Sequence, residues 1–591
     1  MDGAGRRTEK GLALHSVLRE GRVWEIAQSP DASLVEAIRE NLRCSLAFAS
    51  VLAQRGGDAW ERLIATDKQS IHSPFLLPDM QRAVDRLCLA IERGERVFIH
   101  GDFDVDGLTG AAVLYRALRP LLPENSVKVE VGERAQGHGI SPTFVLRAID
   151  ESFGIVVTVD CGVTNHDEIA QLAEAGIDTI VTDHHLPVGD LPAAHAVVDP
   201  HREDNEYPNP HLAGVGVAYK LICGLHEHLG KPEPKHLLDL VALGTIADLV
   251  PLTSHGESEN RAFVREAFEC FAKGAGSALG LRTLMARLSV NPKKLTTSDF
   301  GYLVAPKLNA ANRAGDPKVA FLLLVTEERD QAEYLAEILL DYNRDREIAQ
   351  NDLLSQAEEM IRTEDRNPRE DGFVFLVGEY WNEGILGLVA SSLAERFRVP
   401  AIVLSRGDSV SRGSCRSVAG FDVSACLEAQ ADLLLQYGGH RMAAGFSVAN
   451  DALTQLEEGI EHYVAANRTE KPPRLAEMID AESSLDDIDL SFYKNLTALA
   501  PFGPGNPRPR FLLRNCRFEG LTLVGARRQH LKGRVTQNGE SLSFIAFRMG
   551  RHLETFEAAT DVSLVCQVGF DDWQSAVQAQ GVDLVAEAPP T

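Results

Sequence analysis

Three short apolar runs, Arg96 to His100, Ile155 to Asp160 and Asp178 to Asp183, alternate with stretches of helical period between about residues 95 and 200. Strand-length runs separated by helices predict a parallel sheet covered by helices. Between the last two runs, Asn165 followed by Glu168 has capping-box spacing and predicts a helix through about Ala175, closed by Gly176. After 235, HLLDLVALGTIADLVPL is apolar nearly all round and predicts a buried helix. From 326 to about 365 the chain is charge-rich but keeps apolar positions at Leu335, Ile338, Leu339, Tyr342, Leu353, Leu354, Ala357 and Ile361. This predicts a long helix bridging two globular units and ending at NPRED, where Pro368 disfavours helix. A second α/β unit follows, with a strand at 373–378, a helix at 384–397 and a strand at 400–405. Beyond 475, the runs FLLRNCRF, LSFIAF and VSLVCQV, with Asn538-Gly539 as a hairpin turn, predict a small β-barrel. The expected division is an unassigned segment at 1–60, α/β domains at 61–325 and 367–472, a connecting helix at 326–366 and a barrel at 473–591.

Composition leaves this picture standing: 591 residues, 44% hydrophobic and 24% charged, suit about three or four folded domains. Apolar runs such as IVVTV fall far short of the ~18 residues of a membrane span. MDGAGRRTEK lacks the apolar region of a signal peptide, and nine cysteines without a CxxC suit reduced thiols, so a cytoplasmic setting is expected. The net charge of −26 argues against a polyanionic partner for the chain as a whole. Locally the balance reverses: between 505 and 534, Arg508, Arg510, Arg514, Arg517, Arg527, Arg528, Lys532 and Arg534 face one acid, Glu519. Charge alone leaves open whether this is a grip on a phosphate backbone or a solvated basic face.

The candidate chemistry lies where the three runs end. HGDFDVDG at 100–107 places His100, Asp104 and Asp106 after the first, VTVDCG places Asp160 after the second, and TDHH places Asp183, His184 and His185 after the third. In an open parallel sheet the ligand crevice lies beyond the carboxyl ends of the strands. Asp248 ends the apolar helix, where an unpaired carboxylate would be costly. Acids after strands often cap the next helix, yet capping does not explain repeated accumulation on one sheet edge. Oxygen and imidazole ligands without thiolate favour Mn²⁺ or Mg²⁺, and four aspartates balance two divalent ions. Two such ions would serve hydrolysis of a phosphate ester. His138, His166 and Cys161 read as structural or incidental.

HGDFDVDG, VTVDCG, TDHH and GTIADLVPL, in this order, resemble the four motifs of the DHH phosphoesterase superfamily. RGSCRS at 412–417 and YGGHRMAAGFSV at 437–448 resemble the associated DHHA1 domain, while KLNAANRAGD and APFGPGNPRPRF narrow the similarity to the RecJ family. The resemblance runs from about residue 65 to the end. It implies two α/β domains joined by a long helix with an OB-like barrel, and a single-stranded-DNA-specific 5′ to 3′ exonuclease releasing 5′-mononucleotides in bacterial DNA repair and recombination. It implies that His100, Asp104 and Asp160 hold one ion, Mn²⁺ or Mg²⁺, and that Asp106, Asp160, His184 and Asp248 hold the other. It further implies that His185 lies near the scissile phosphate, that Asp183 orients a ligand histidine, and that Arg134, Arg313, Ser414 and Arg416 grip phosphates. Gly438, Gly439 and His440 would close the cleft, and Arg508, Arg510, Arg527, Arg528 and Lys532 would carry strand binding by the barrel. A monomer is expected, with a helicase and a single-strand-binding protein as partners and no membrane contact. The chain departs from the family's pattern at His138, usually tyrosine, and at Asn312, usually glycine. A phosphodiesterase for very short or cyclic oligonucleotides would not need the barrel, and a non-catalytic DNA-binding scaffold would not need the ligands.

Overall fold

The computed structural model describes residues 13–19, 22–64, 70–134, 137–254, 256–274, 278–364, 366–467, 476–559 and 562–587. Every residue of Val97–Gly101 and Ile155–Val159 is buried, which is why these runs are continuously apolar rather than alternating. They are adjacent strands of a five-stranded, all-parallel sheet in the spatial order Val127–Val131, Val97–Gly101, Ile155–Val159, Asp178–Thr182, Ala196–Val198. Strand order therefore reverses between the first and third strands in sequence, and a crevice opens at their carboxyl ends.

Helix Val105–Leu118 follows the first strand directly, and helix Leu238–Ala247 is buried at every position from Leu238 to Ile246, as its unbroken apolarity predicts. A 35-residue helix, Arg329–Thr363, leads to a second sheet. There Val374–Glu379 and Ala401–Arg406 pair in parallel, and Val410–Arg416, Ala443–Ala449 and Leu434–His440 continue antiparallel. Pro368 does not simply stop the helical path; it opens a separate one-turn helix, Pro368–Asp371, because its fixed φ and missing N–H suit a first helical position. Asn165 precedes helix His166–Glu174 but does not cap it by side chain. Its amide is drawn away by Ile140 N–H, 3.2 Å from Oδ1, while Nδ2 donates to Glu168 at 3.1 Å.

The described residues within 71–250 and 259–473 form one compact unit, and those within 1–70, 251–258 and 474–591 form the other. In the second unit Phe511–Val524, His530–Gln537, Glu540–Ala546, Ala576–Glu587 and Val562–Asp571 pair in a closed ring, Val562–Asp571 returning to Phe511–Val524. Asn538 and Gly539, at φ 52° and 90°, make the hairpin turn. The amino-terminal region, unassigned from sequence, belongs to this unit: Ala13–Ser16 pairs with Ala576–Glu587, Val23–Ile26 pairs with Ala13–Ser16, and Ala476–Ile479 runs parallel to Val23–Ile26. Trp24, fully buried, donates from Nε1 to Asp583 at 2.9 Å.

Phe544 fills the barrel interior, its ring centroid 4.9 Å from Phe518 and 5.6 Å from Phe556. Phe544→Ala is expected to destabilise the barrel by about 3–5 kcal/mol, read as a lower denaturant midpoint, with the parallel-sheet unit unaffected.

Candidate metal centre and phosphate site

The carboxylates are delivered by strand ends and held by backbone amides. Asp104 caps helix Val105–Leu118, accepting the N–H of Asp106 at 2.8 Å and of Gly107 at 3.2 Å. A Cβ on Gly107 would lie 2.4 Å from the Asp102 carbonyl oxygen, so the residue is required by the closeness of helix to strand end rather than by a turn. Asp106 accepts the N–H of Gly214 at 2.6 Å and of Val215 at 2.8 Å, at the amino end of helix Gly214–His228. A Cβ on Gly214 would stand 2.6 Å from that of Asp160. Asp160 sits at φ 61°, a left-handed conformation tolerated by aspartate but costing of order 1 kcal/mol or more. Such strain persists where the surroundings over-determine it, and here it turns the carboxylate toward the next strand's histidines.

His184 Nε2 is the point of convergence. It lies 3.1 Å from Asp160 Oδ1 and 3.8 Å from both Asp106 Oδ2 and Asp248 Oδ2. Oxygen and nitrogen atoms of Asp106, His184 and Asp248 fall within 4.8 Å of one another, as do those of Asp160, His184 and His185, and those of Asp102, Asp104 and Asp160. Burial, with repulsion among neighbours, raises the carboxyl pKa of Asp104, Asp106 and Asp160, and lifts Asp248 to about 7. Burial and the charge of His185 lower His184 to about 3, leaving its imidazole neutral with a lone pair to offer.

His185 behaves oppositely. Burial disfavours its charge, but Asp183, with Oδ1 2.8 Å from His185 Nδ1, outweighs burial and raises it to about 9. The same bond holds Asp183 at about 2 despite its burial. The Asp183 carboxylate also accepts the N–H groups of His184 at 2.8 Å and Val163 at 3.0 Å. The ring it orients is therefore that of His185, not of the convergent His184.

His100 is placed differently from its neighbours. Its Nε2 lies 3.1 Å from the Gly139 carbonyl, and Nδ1 is buried with no hydrogen-bond partner. Asp102, which the sequence reading passed over, joins the cluster, and His138, set aside as incidental, stands beside it. The alternation Asp102-x-Asp104 was the available signal for the first; nothing local marks the second.

A second, positive cluster adjoins the acids. Arg134 lies over the Phe103 ring at 4.5 Å, with Nε 3.4 Å from Asn312 Oδ1. Asn312 in turn donates to the Phe103 carbonyl at 2.6 Å, so the departure from glycine ties the arginine to the strand end. Arg313 donates to the Gly384 carbonyl at 2.8 Å, and Arg416 to Ser414 Oγ at 3.2 Å. Burial first, then the charges of Arg134 and Arg416, lower Arg313 to about 9. None of the three pairs with a carboxylate at salt-bridge distance among the described residues, leaving their forks for an anion. Gly438, Gly439 and His440 lie on the exposed strand Leu434–His440, and among the described residues the His440 side chain bonds to neither cluster.

The barrel's basic residues divide. Arg510 is paired with Glu477 at 2.9 Å and Lys532 with Asp571 at 2.9 Å, while Arg508 packs over Phe502 at 5.2 Å. Arg527 and Arg528, on the turn between Phe511–Val524 and His530–Gln537, are exposed and without ion-pair partners among the described residues.

Hard oxygen donors, a neutral histidine, a buried unpartnered His100 nitrogen and mutually repelling carboxyls fit a pair of divalent cations, and no thiol takes part: Cys161 is buried with Sγ toward the Val159 carbonyl. A buried sheet with this order and these acids at its switch point defines a phosphoesterase-type α/β unit. Residues 96–245 match the DHH family N-terminal domain, 370–466 the DHHA1 domain and 479–582 the RecJ OB domain. The single-stranded-DNA-specific exonuclease RecJ of Bacillus subtilis is 31% identical over 563 residues, covering 94% of this chain and 70% of the relative. The crystal structure of RecJ with Mn²⁺ from Thermus thermophilus superposes with a TM-score of 0.80 at 28% identity, over 96% of this chain and 80% of that one. Its Mg²⁺ complex gives 0.73 at 26% identity, over 96% and 79%. The chain belongs to the RecJ family.

Between the ordinary carboxyl value of 3.8 and their raised folded values, Asp104, Asp106, Asp160 and Asp248 keep protons that the unfolded chain has released. The metal-free fold therefore loses stability as pH rises through that window, which for Asp248 closes at about 7. Cations compete with these protons. Mn²⁺ is expected to raise the melting temperature more at pH 8 than at pH 5.5 in thermal-shift measurements; equal shifts would count against ligation by these acids.

Proposed function

We propose that the chain is a metal-dependent, single-stranded-DNA-specific 5′ to 3′ exonuclease that hydrolyses phosphodiester bonds and releases 5′-mononucleotides. The observation that carries the reading is the convergence of Asp106, Asp160 and Asp248 on one neutral histidine nitrogen beside a cluster of half-buried arginines without carboxylate partners among the described residues. Membership of the RecJ family, whose relatives are single-stranded-DNA-specific exonucleases, supports the substrate.

In this reading His100, Asp104 and Asp160 hold one divalent ion and Asp106, Asp160, His184 and Asp248 the other, as Mn²⁺ or Mg²⁺. Such a pair supplies an activated nucleophile and neutralises charge on the attacking and leaving oxygens. His185, kept charged by Asp183, presents its other nitrogen to the scissile phosphate. Arg134, Arg313 and Arg416, with Ser414, take phosphate oxygens in planar forks. Gly438 and Gly439 let the strand approach the backbone closely, with His440 beside them. Arg527 and Arg528 give the barrel an exposed charged turn for binding a strand, and a preference for single strands would come from shape rather than base readout. No helix among the described residues is long and apolar enough to cross a membrane. The setting we propose is DNA repair and recombination in a bacterial cytoplasm, as a monomer with a helicase and a single-strand-binding protein as partners.

End-labelled single and double strands with Mn²⁺, Mg²⁺ or chelator test polarity, strand preference and metal need together; digestion of duplex at the same rate, or undiminished digestion with chelator, would reject the reading. Asp160→Ala is expected to lower hydrolysis at least about a thousandfold while the fold persists by circular dichroism, with Asp160→Asn retaining the left-handed backbone as a control. Arg527→Glu with Arg528→Glu is expected to weaken binding of long strands about tenfold and to leave cleavage of short oligonucleotides within about twofold; equal losses on both would argue against a separate grip by the barrel.

A further inference from the structure

His138 lies between Gly137 and Gly139, whose φ values of 88° and 103° are open to glycine, in the loop before helix Pro142–Asp150. The far side of this loop is fixed by two contacts: Asn165 Oδ1 accepts the Ile140 N–H at 3.2 Å, and the Gly139 carbonyl faces His100 Nε2 at 3.1 Å. A Cβ on Gly139 would come within 2.6 Å of Asn165 Oδ1, so the loop backbone packs against Asn165 more closely than any other residue would allow. The His138 side chain is left 42% exposed at the rim of the acid cluster, with Nδ1 3.3 Å from Asp102 Oδ1. Its ring stands edge-on to that of His185, 4.6 Å between centroids at 64°. His184 meets the same ring at 4.7 Å and 60°.

The His185 ring is thus fixed at one nitrogen by Asp183 and flanked by two imidazoles. A single hydrogen bond leaves a ring free to tilt about it, and the His185 side chain is 36% exposed; beside Asp183, and Asp160 Oδ1 at 4.0 Å from the same nitrogen, the two rings bound its tilt among the described residues. The Asp183 bond sets which nitrogen faces the crevice; the ring contacts set where that nitrogen points. We infer that His138, beside Asp102, is a positioning residue that keeps the His185 ring aimed at the phosphate, a role that rests on the hydrolytic reading proposed above. Angular errors of this kind act on turnover more than on substrate binding.

Single-turnover hydrolysis of a 5′-labelled single strand, with enzyme in excess and Mn²⁺ present, tests the role in wild type, His138→Ala, His138→Phe, His185→Gln and the double variant His138→Ala/His185→Gln. His138→Ala is expected to slow the chemical step about tenfold with half-saturation unchanged within about twofold. His138→Phe, which keeps an edge-on ring, is expected to stay within about threefold of wild type. In the His185→Gln background the His138→Ala loss is expected to shrink below about twofold, since a residue acting only through His185 has nothing left to position. Wild-type rates in His138→Ala, or an undiminished loss in the His185→Gln background, overturn the inference while leaving the exonuclease reading in place. Absence of hydrolysis by the wild-type protein overturns both. Thermal melting accompanies each variant, and should the alanine variant melt early, a loss in His138→Phe as large as that in His138→Ala decides against positioning by the ring.

Discussion

Crowded negative charge is the constraint on which the active unit is built. Asp104, Asp106 and Asp160 lie at the carboxyl ends of adjacent parallel strands, with Asp248 brought in by a buried helix, and each is pushed toward holding a proton by burial first and by its neighbours' charges next. The fold tolerates the crowding by aiming backbone N–H groups at it. Two come from the start of Val105–Leu118 and two from the start of Gly214–His228. These donors orient the carboxylates without cancelling their charge, so the remaining compensation falls to cations from solution. Guanidinium groups that could have neutralised the acids are instead gathered in their own cluster, on Arg134, Arg313 and Arg416. Keeping the two signs adjacent but unpaired is what leaves both available to a ligand.

The adjacent histidines show how finely position separates function. His184 faces three carboxylates yet is neutral, because burial and the charge next to it dominate. His185 faces one carboxylate squarely and keeps its proton. Two identical side chains one residue apart thus divide the work of electron-pair donor and proton holder, by environment alone. The reversal depends on Asp183, which binds the backbone of His184 and His185 as well as one ring, so a shift there would disturb both.

The strands, the buried helix, the long helix and the barrel were legible because their signals are local: continuous apolarity, helical period, an Asn-Gly turn. The acids were legible because strand ends are, and parallel topology gathers strand ends at one edge. Asp102 carried a local signal in its alternation with Asp104, but His138 did not, since its place depends on a loop folding back through Asn165, a contact 25 positions removed from Ile140. The ion pairs of Arg510 and Lys532 were hidden for the same reason: Glu477 and Asp571 are distant in sequence, and a basic run does not show which of its charges are neutralised across a sheet. Strands Ala13–Ser16 and Val23–Ile26 have four residues each, too few for a pattern, and take their order from partners near the other end of the chain.

That last pairing has a temporal side. Ser16 and Trp24 both bind Asp583, and Ser16 lies 567 positions before it. At about 5–20 residues per second, a ribosome would take roughly half a minute to two minutes to deliver the partner. Throughout that interval Ala13–Ser16 and Val23–Ile26 have each other but lack Ala576–Glu587 and Ala476–Ile479 on their outer edges, whereas the parallel sheet can close as soon as Ala196–Val198 emerges. The nascent polypeptide would therefore acquire its catalytic half first and need chaperoning at its leading end until the final strand arrives.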